Sequence, residues 1–182
     1  MEQRRIFVAI DISDEARRAV DAYTGVLRSQ FPDVRARWLP PDVLHITMRF
    51  VGNVDAHGLT QVQELVSSAV TKHRPFADYL EGTGNFAQRK VRQDALWIGV
   101  RSEPAAALGD LAAALNENEL RKFVPHLTIA RLKDTMQGTQ LVAEHLSHSF
   151  PPVEFAIDHL TIYESVLGRT GSKYTAISRV SF

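Results

Sequence analysis

Two short segments of the chain place a histidine and a threonine two residues apart, each soon after a proline. His45 and Thr47 occur in the first segment, and His126 and Thr128 in the second. In a β-strand, side chains at positions i and i+2 point to the same face, so each segment would present an imidazole beside a hydroxyl. Two such strands lying side by side would bring both pairs to one space, where they could perform acid–base chemistry on a phosphate.

The chemistry follows from the ordinary pKa of histidine, which is about 6.5, so a pair can hold one neutral and one protonated ring near neutral pH. One ring can accept a proton from an attacking hydroxyl or water while the other donates to a leaving oxygen. Each such transfer typically contributes about 10²–10⁴ in rate. Threonine hydroxyls and an arginine fork can bind the phosphate oxygens. Because protein groups alone complete this set, we expect no metal and no other cofactor.

An arginine follows each motif, but the two differ in strand parity. Arg49 lies four residues after His45, so a regular strand would place it on the same face, where it could bind substrate. Arg131 lies five residues after His126 and has the opposite parity. Either the alternation breaks near the end of that strand, or Arg131 is a solvent-exposed arginine. Parity alone favours the second interpretation.

A third segment, beginning at His159, has the same four-residue pattern. No proline precedes it, and Glu164 stands where the other segments have an arginine. A carboxylate at that place would repel an anionic substrate. We therefore interpret His159 as a structural strand histidine.

The composition of the chain limits the number of domains and excludes several kinds of site. The 182 residues suffice for one sizeable core, and the 21 basic and 21 acidic residues leave no net charge to attract long nucleic acid. There is no cysteine, which excludes disulfides, thiol nucleophiles and cysteine-based zinc sites. No signal-peptide pattern or membrane-length apolar stretch is present. We expect a single cytoplasmic, monomeric domain over residues 1–182, with no membrane contact.

The order of predicted elements repeats once along the chain: strand, helix, His-Thr strand, helix, then the same four again, followed by strand. This echo predicts a two-lobed α+β fold with pseudo-twofold symmetry, in which each half supplies one His-Thr strand to a central cleft. The first helix is expected to follow a cap at Ser13 and to end near Gln30. We further expect a turn at Gly52, a loop over residues 82–94, one strand over residues 153–163 and a hairpin turn over residues 168–173.

Segments outside the motifs extend the pattern. They are residues 6–11, Trp38 with Pro40 and Pro41, residues 44–47 and 50–52, residues 96–100, residues 125–131, and residues 163–168 before Tyr174. Together with the paired motifs, they make the chain resemble the two-histidine phosphoesterase superfamily, most closely its RNA 2′,3′-cyclic phosphodiesterases, also called 2′-5′ RNA ligases.

The resemblance implies antiparallel sheets facing a central cleft, with helices outside. It also implies hydrolysis of RNA 2′,3′-cyclic phosphate ends to 2′-phosphates, with reversible 2′-5′ joining in some members. His45 would be the general acid for the 3′ oxygen, and His126 the base that activates water. Thr47, Thr128 and Arg131 would hold the phosphate, so for Arg131 the resemblance outranks parity.

Several further residues are candidates for substrate contact. Phe7, Trp38, Phe86 and Tyr174 could stack on a base, although core packing explains Phe7 and Trp38 equally well. The basic residues 89–92 could contact an RNA backbone or form a solvated loop. Residues 116–122, before the second motif, are fewer than the resemblance leads us to expect, which affects the rim of the cleft.

Two other functions use the same residues. The protein could be an RNA-end-binding or sealing module whose turnover is incidental. It could also be a phosphodiesterase for another small cyclic nucleotide or for a 2′-5′ linked oligonucleotide. The sequence does not separate these from hydrolysis of RNA ends, because all three need the same set of side chains.

Overall fold

The computed structural model describes residues 3–88, 93–116, 123–133, 136–168 and 171–182. Its strands are β1 (Arg4–Asp11), β2 (Ala36–Trp38), β3 (His45–Val54), β4 (Phe76–Gln88), β5 (Gln93–Glu103), β6 (His126–Lys133), β7 (Val153–Ile157), β8 (His159–Leu167) and β9 (Ser172–Ser181). Its helices are α1 (Asp14–Gln30), α2 (Ala56–Thr71), α3 (Ala107–Leu115) and α4 (Met136–Ser147), with a 3₁₀ turn at Pro41–Val43.

The strands form one antiparallel sheet in the order β7-β4-β5-β6-β3-β1-β8-β9, with β2 paired to β6. The two His-Thr strands, β3 and β6, are neighbours at its centre, where Ile46 pairs with Leu127. Four strands lie on either side of this junction, if β2 is set aside. The predicted two-lobed α+β fold is therefore confirmed, with the sheets of the two lobes joined through β3 and β6.

Pairing registers repeat between the lobes. Ala9, Ile10 and Asp11 of β1 face Thr47, Ile46 and His45, just as Trp97, Ile98 and Gly99 of β5 face Thr128, Leu127 and His126. Each motif strand thus has an equivalent neighbour in the same register. These matching registers show the pseudo-twofold symmetry at the level of individual residues.

The lobes are not successive halves of the chain, which differs from our expectation. Strand β1 has β3 on one side and β8 on the other, so the last two strands return to the lobe where the chain began. An apolar central strand needs a partner on both edges to satisfy its backbone groups. The repeat in element order reveals the symmetry but not this exchange of strands.

Helix α1 begins and ends where the sequence predicts. The Ser13 hydroxyl accepts a hydrogen bond from the Ala16 amide at 3.2 Å, and the helix ends at Gln30. Asp55 caps α2 in the same way, through the Gly58 amide at 2.9 Å. Side-chain caps of this kind satisfy amide groups that the first helical turn leaves without partners.

Three local predictions are wrong, and pairing explains each of them. Strand β3 continues through Gly52 to Val54, because Gly52 adopts a φ of 88° within a bulge opposite β1. The segment predicted as a loop over residues 82–94 is largely the paired ends of β4 and β5. The single strand predicted over residues 153–163 is divided at Asp158 into β7 and β8, which pair with opposite lobes. At the hairpin predicted over residues 168–173, Gly168 and Gly171 exchange backbone hydrogen bonds, as the prediction requires, and residues 169 and 170 lie outside the described residues.

The core lies between the sheet and the helices. Ile6, Val8 and Ile10 of β1 are almost completely buried, as are Val66 of α2 and Leu111 of α3. Within the ranges described above, no helix is both long and apolar enough to cross a lipid bilayer.

Candidate active site

The two His-Thr motifs meet at one cavity of about 240 Å³ over the β3–β6 junction. It is lined by Arg5, Phe7, Arg37, Leu39, His45, Thr47, Phe50, His126, Thr128, Arg131, Ser165, Leu167, Ser172 and Tyr174. Because Ile46 pairs with Leu127 in antiparallel strands, His45 lies beside Thr128 and Thr47 beside His126. Each histidine is therefore next to the threonine of the other motif.

Both imidazoles are held in the same way. His45 Nδ1 donates to the Val43 carbonyl at 2.8 Å, and His126 Nδ1 donates to the Val124 carbonyl at 2.7 Å. A ring that donates from Nδ1 carries its exchangeable site on Nε2. The backbone just before each motif thus leaves Nε2 as the atom that can accept or deliver a proton.

Aromatic rings pack around the two histidines. The ring of Phe7 lies 4.8 Å from that of His45 between centroids, and Tyr174 meets the same imidazole edge-on at 5.2 Å. Phe86 meets His126 edge-on at 4.8 Å. These contacts fix the ring orientations and remove water from their faces.

The charges near the two histidines differ. Burial lowers the pKa of both rings, because it disfavours the charged form. At His45 the negative charge of Asp11 opposes this effect on the pKa, whereas Arg17 and His126 add to it. The Arg131 guanidinium adds to it and lowers the pKa of His126.

A bulge in β3 overturns the parity argument for Arg49. Thr47 pairs with Ala9 and Arg49 with Val8, so Met48 is an extra residue and the alternation of faces shifts. The Arg49 guanidinium donates to the Leu115 carbonyl at the end of α3. Arg49 is not among the cavity-lining residues, so the structure does not support its predicted place at the substrate.

An equivalent bulge in β6 has the opposite consequence for Arg131. Thr128 pairs with Trp97 and Ala130 with Leu96, which makes Ile129 the extra residue. The shift turns Arg131 onto the cavity face, although strand parity favoured solvent. The break in alternation considered from the sequence is therefore present, and Arg131 lies where its predicted phosphate-binding role requires.

The aromatic candidates divide between cavity and core. Phe7 and Tyr174 both line the cavity, although the side chain of Phe7 is only 3% exposed. Trp38 is absent from the lining. It packs against the hydrophobic core and lies under the Arg28 guanidinium at 5.7 Å. Of its two sequence interpretations, the structure supports core packing.

Several lining residues were missed from the sequence. Phe50 reaches the cavity only because of the β3 bulge, and Arg5 lies over its ring at 4.9 Å. Arg37 comes from β2, which borders β6. Its only signal was a position next to Trp38 in a strand where the two residues must face opposite sides. The remaining missed residues are Leu39, Ser165, Leu167 and Ser172.

The third His-Thr match belongs to a separate network around Asp11. The Asp11 carboxylate accepts hydrogen bonds from Tyr163 at 2.6 Å, Thr161 at 2.8 Å and His159 at 3.1 Å. Burial alone would raise the pKa of Asp11, but these bonds outweigh it and hold that pKa below its ordinary value. Burial and Asp11 raise the pKa of Tyr163 to about 12. His159 therefore bonds to a carboxylate outside the cavity lining, which suits the structural role expected of it, although the sequence did not indicate this partner.

Two predictions cannot be located. The basic residues 89–92 and the short segment 117–122 lie outside the described residues. In the part of the chain that the structure does describe, no three histidine, aspartate or glutamate side chains are grouped so that they could hold a metal ion.

The chain is similar over nearly its whole length to several known proteins. The RNA 2′,3′-cyclic phosphodiesterase of Thermotoga maritima is 31% identical over 98% of this chain and 95% of its own length. A protein of the same name from Archaeoglobus fulgidus is 30% identical over 93% of this chain and 96% of its own. The crystal structure of Escherichia coli LigT with 3′-AMP has 26% identity and a TM-score of 0.74, covering 100% of this chain and 99% of that one.

The model of one family matches residues 12–169, a range that begins just after β1 and includes both His-Thr motifs. The resemblance inferred from the motifs is therefore confirmed. The chain belongs to the 2′-5′ RNA ligase superfamily.

Proposed function

We propose that this protein hydrolyses the 2′,3′-cyclic phosphate ends of RNA to 2′-phosphomonoesters. The observation that carries the proposal is the pair of imidazoles at one cavity, His45 and His126, each held through Nδ1 by the carbonyl two residues earlier. Both rings then offer Nε2 to a group bound between them. Such a pair can supply a general acid and a general base for the same displacement.

The reaction can be assigned to atoms. His126 Nε2 accepts a proton from water as the water oxygen bonds to phosphorus. The bond from phosphorus to the 3′ oxygen breaks, and His45 Nε2 donates a proton to that oxygen. Thr47 and Thr128 donate to the non-bridging oxygens, and Arg131 offsets the developing negative charge. The products are a 2′-phosphate and a free 3′-hydroxyl, and solvent protons restore the starting states of the two rings.

Names of the relatives support the substrate class. The similar proteins of Thermotoga maritima and Archaeoglobus fulgidus are RNA 2′,3′-cyclic phosphodiesterases, and Escherichia coli LigT has been crystallised with 3′-AMP. The same set of groups would join RNA through a 2′-5′ linkage if a 5′-hydroxyl took the place of water. Neutral net charge suits contacts with an RNA end rather than with a long duplex.

Turnover of uridine 2′,3′-cyclic phosphate in the presence of EDTA tests the proposal. We expect hydrolysis by the wild type, and a loss of about 10² or more in His45→Ala and in His126→Ala, because each removes one proton transfer. His159→Ala is the matched control, since that histidine has the same motif but bonds to Asp11. We expect its rate to remain close to the wild type.

Other outcomes would change the assignment. A strict requirement for a divalent metal, or loss of turnover only in His159→Ala, would overturn the two-histidine mechanism. RNA binding without hydrolysis would favour the end-binding or sealing module. A panel of other cyclic and 2′-5′ linked nucleotides would test the remaining alternative.

The cytoplasmic location and the monomeric state of the protein stay predictions. Sedimentation equilibrium would measure the oligomeric state.

A further inference from the structure

Two arginines face each other across neighbouring strands in the cavity. Arg37 of β2 pairs directly with Arg131 of β6, and both line the cavity. Like charges placed directly opposite one another in a sheet are destabilising. A pairing of this kind is favourable when an anion lies between or beside the two guanidinium groups.

Among the residues that the structure describes, acidic side chains do not offset these charges. The described lining of the cavity contains Arg5, Arg37 and Arg131 but no aspartate or glutamate. Within the described ranges, neither Arg37 nor Arg131 forms an ion pair, whereas Arg101 of the same sheet contacts two glutamates. A single cyclic phosphate carries one negative charge, so the cavity holds more positive charge than one reacting group requires.

The exposed side chain of Arg37 reaches the turn between β8 and β9. A Cβ atom built on Gly171 would come within 2.2 Å of Arg37 Nη2, so the guanidinium lies against the backbone of the turn between β8 and β9. Gly168 and Gly171 close this turn by hydrogen bonds in both directions, at 2.8 and 3.3 Å. Arg37 thus lies beside this turn, whose next residue, Ser172, also lines the cavity.

The third arginine has a different environment. Arg5 lies over the ring of Phe50, which is 53% exposed, and the exposed side chain of Leu167 belongs to the same lining. A flat guanidinium–aromatic pair with an apolar neighbour suits a base, through stacking. Arg37 and Arg131 have no aromatic partner of this kind in the described structure and suit phosphate oxygens.

We propose that Arg37 forms a second phosphate subsite, which binds the phosphodiester that precedes the terminal nucleotide while Arg131 holds the reacting cyclic phosphate. The Cβ atoms of directly opposed strand residues lie about 5 Å apart. From these positions, two long arginine side chains can reach two successive phosphates. This inference rests on the proposed function. It makes oligonucleotide ends, rather than cyclic mononucleotides, the preferred substrate class.

The experiment compares three substrates: uridine 2′,3′-cyclic phosphate, the dinucleotide UpU with a 2′,3′-cyclic end, and the same dinucleotide with an uncharged methylphosphonate linkage. For the wild type, we expect kcat/KM to be about tenfold or more higher for the phosphate-linked than for the methylphosphonate-linked dinucleotide, because a charged hydrogen bond is lost. In Arg37→Gln this difference should disappear. Arg35→Gln, which changes a nearby arginine outside the lining, should retain it.

Each alternative outcome has a separate meaning. Equal kcat/KM for the two dinucleotides with the wild type would overturn the second subsite while leaving the proposed function intact, and this comparison needs no variant. An Arg37→Gln enzyme that still distinguishes the two linkages, or that loses the same factor on all three substrates, would also overturn it. No turnover of any substrate by the wild type would overturn the proposed function, and the inference with it.

Discussion

The two catalytic candidates are anchored alike but lie in different electrostatic fields. Burial lowers the pKa of both rings. At His45 the Asp11 carboxylate opposes this effect while Arg17 and His126 add to it, and at His126 the Arg131 guanidinium adds to it. A general acid must be protonated before the reaction and a general base must be neutral. Asp11 thus favours the protonated form of His45, the proposed acid, and Arg131 favours the neutral form of His126, the proposed base.

Replacing Asp11 by asparagine should shift only one limb of the pH–rate profile. Burial lowers the pKa of both histidines, so we expect the optimum of kcat/KM on the acid side of about pH 6.5. Activity falls with rising pH as His45 loses its proton, and with falling pH as His126 gains one. Asp11→Asn removes a charge that raises the pKa of His45, so the alkaline limb should move to lower pH.

The matched control for this experiment is Asp158→Asn. Asp158 contacts the other side of the His159 ring, and its charge has no resolved influence on His45 or His126. We expect both limbs to stay in place in this variant. An alkaline limb that moves upward in Asp11→Asn, or equal movement of both limbs, would contradict the assignment of His45 as the acid.

At the scale of elements, strands β4 and β5 support His126 through one close approach. A Cβ on Gly84 would lie 2.1 Å from the Trp97 ring, so that ring covers the glycine backbone. Trp97 lies 6.2 Å from His126 and 5.3 Å from Phe86 between ring centroids. The absence of a side chain at residue 84 is thus what allows the aromatic support behind His126 to form.

Gly84→Ala should therefore destabilise the fold and slow the reaction. The added methyl group displaces the Trp97 ring, and overpacking of this kind costs about 1–3 kcal/mol. Gly25→Ala is a useful control because Gly25 lies within α1, where an added methyl group would meet no atom within 4 Å, and alanine should stabilise that helix by roughly 0.5–1 kcal/mol. Urea unfolding and turnover of a cyclic nucleotide measure both effects. If the two variants had the same stability and the same turnover, the position of the Trp97 ring would not depend on Gly84.

Across the whole molecule, the two lobes share their strand registers but differ in the side chains around the two motifs. Registers around the two motifs match, yet Phe50 occupies in β3 the place that Arg131 occupies in β6, five residues after each histidine. Phe7 and Tyr174 surround His45, whereas Phe86 and Trp97 surround His126. A nucleotide therefore meets different surfaces in its two possible orientations, and we expect the cavity to bind it in one.

A single orientation predicts a single product. With His45 beside the 3′ oxygen, a 2′,3′-cyclic end should give a 2′-phosphomonoester with little of the 3′ isomer. Phosphorus NMR of the product mixture measures the ratio directly. A predominance of 3′-phosphate would mean that His45 and His126 have exchanged roles, even if both prove essential, and a mixture would mean that both orientations bind.

The sequence by itself determined the features that depend on local alternation, capping and motif. The parity of His45 and Thr47 predicts their common face, because both precede any irregularity in β3. The Ser13 cap located α1, and the chain context separated His159 from the two motif histidines. The repeat of elements likewise predicted the two-lobed α+β class.

Strand pairing explains why Arg131 reaches the cavity and Arg49 does not, which local alternation predicts the other way round. Each motif strand has a bulge just after its threonine, at Met48 in β3 and at Ile129 in β6. The bulged residue has no partner on the neighbouring strand, so the pairing register shifts there. Nothing in the local sequence specifies such a bulge, since it depends on a strand distant in the chain. The pairing of Arg37 with Arg131 and the return of β8 to β1 are likewise long-range contacts. Local residue patterns thus define the catalytic pair, and strand pairing defines the surface that surrounds it.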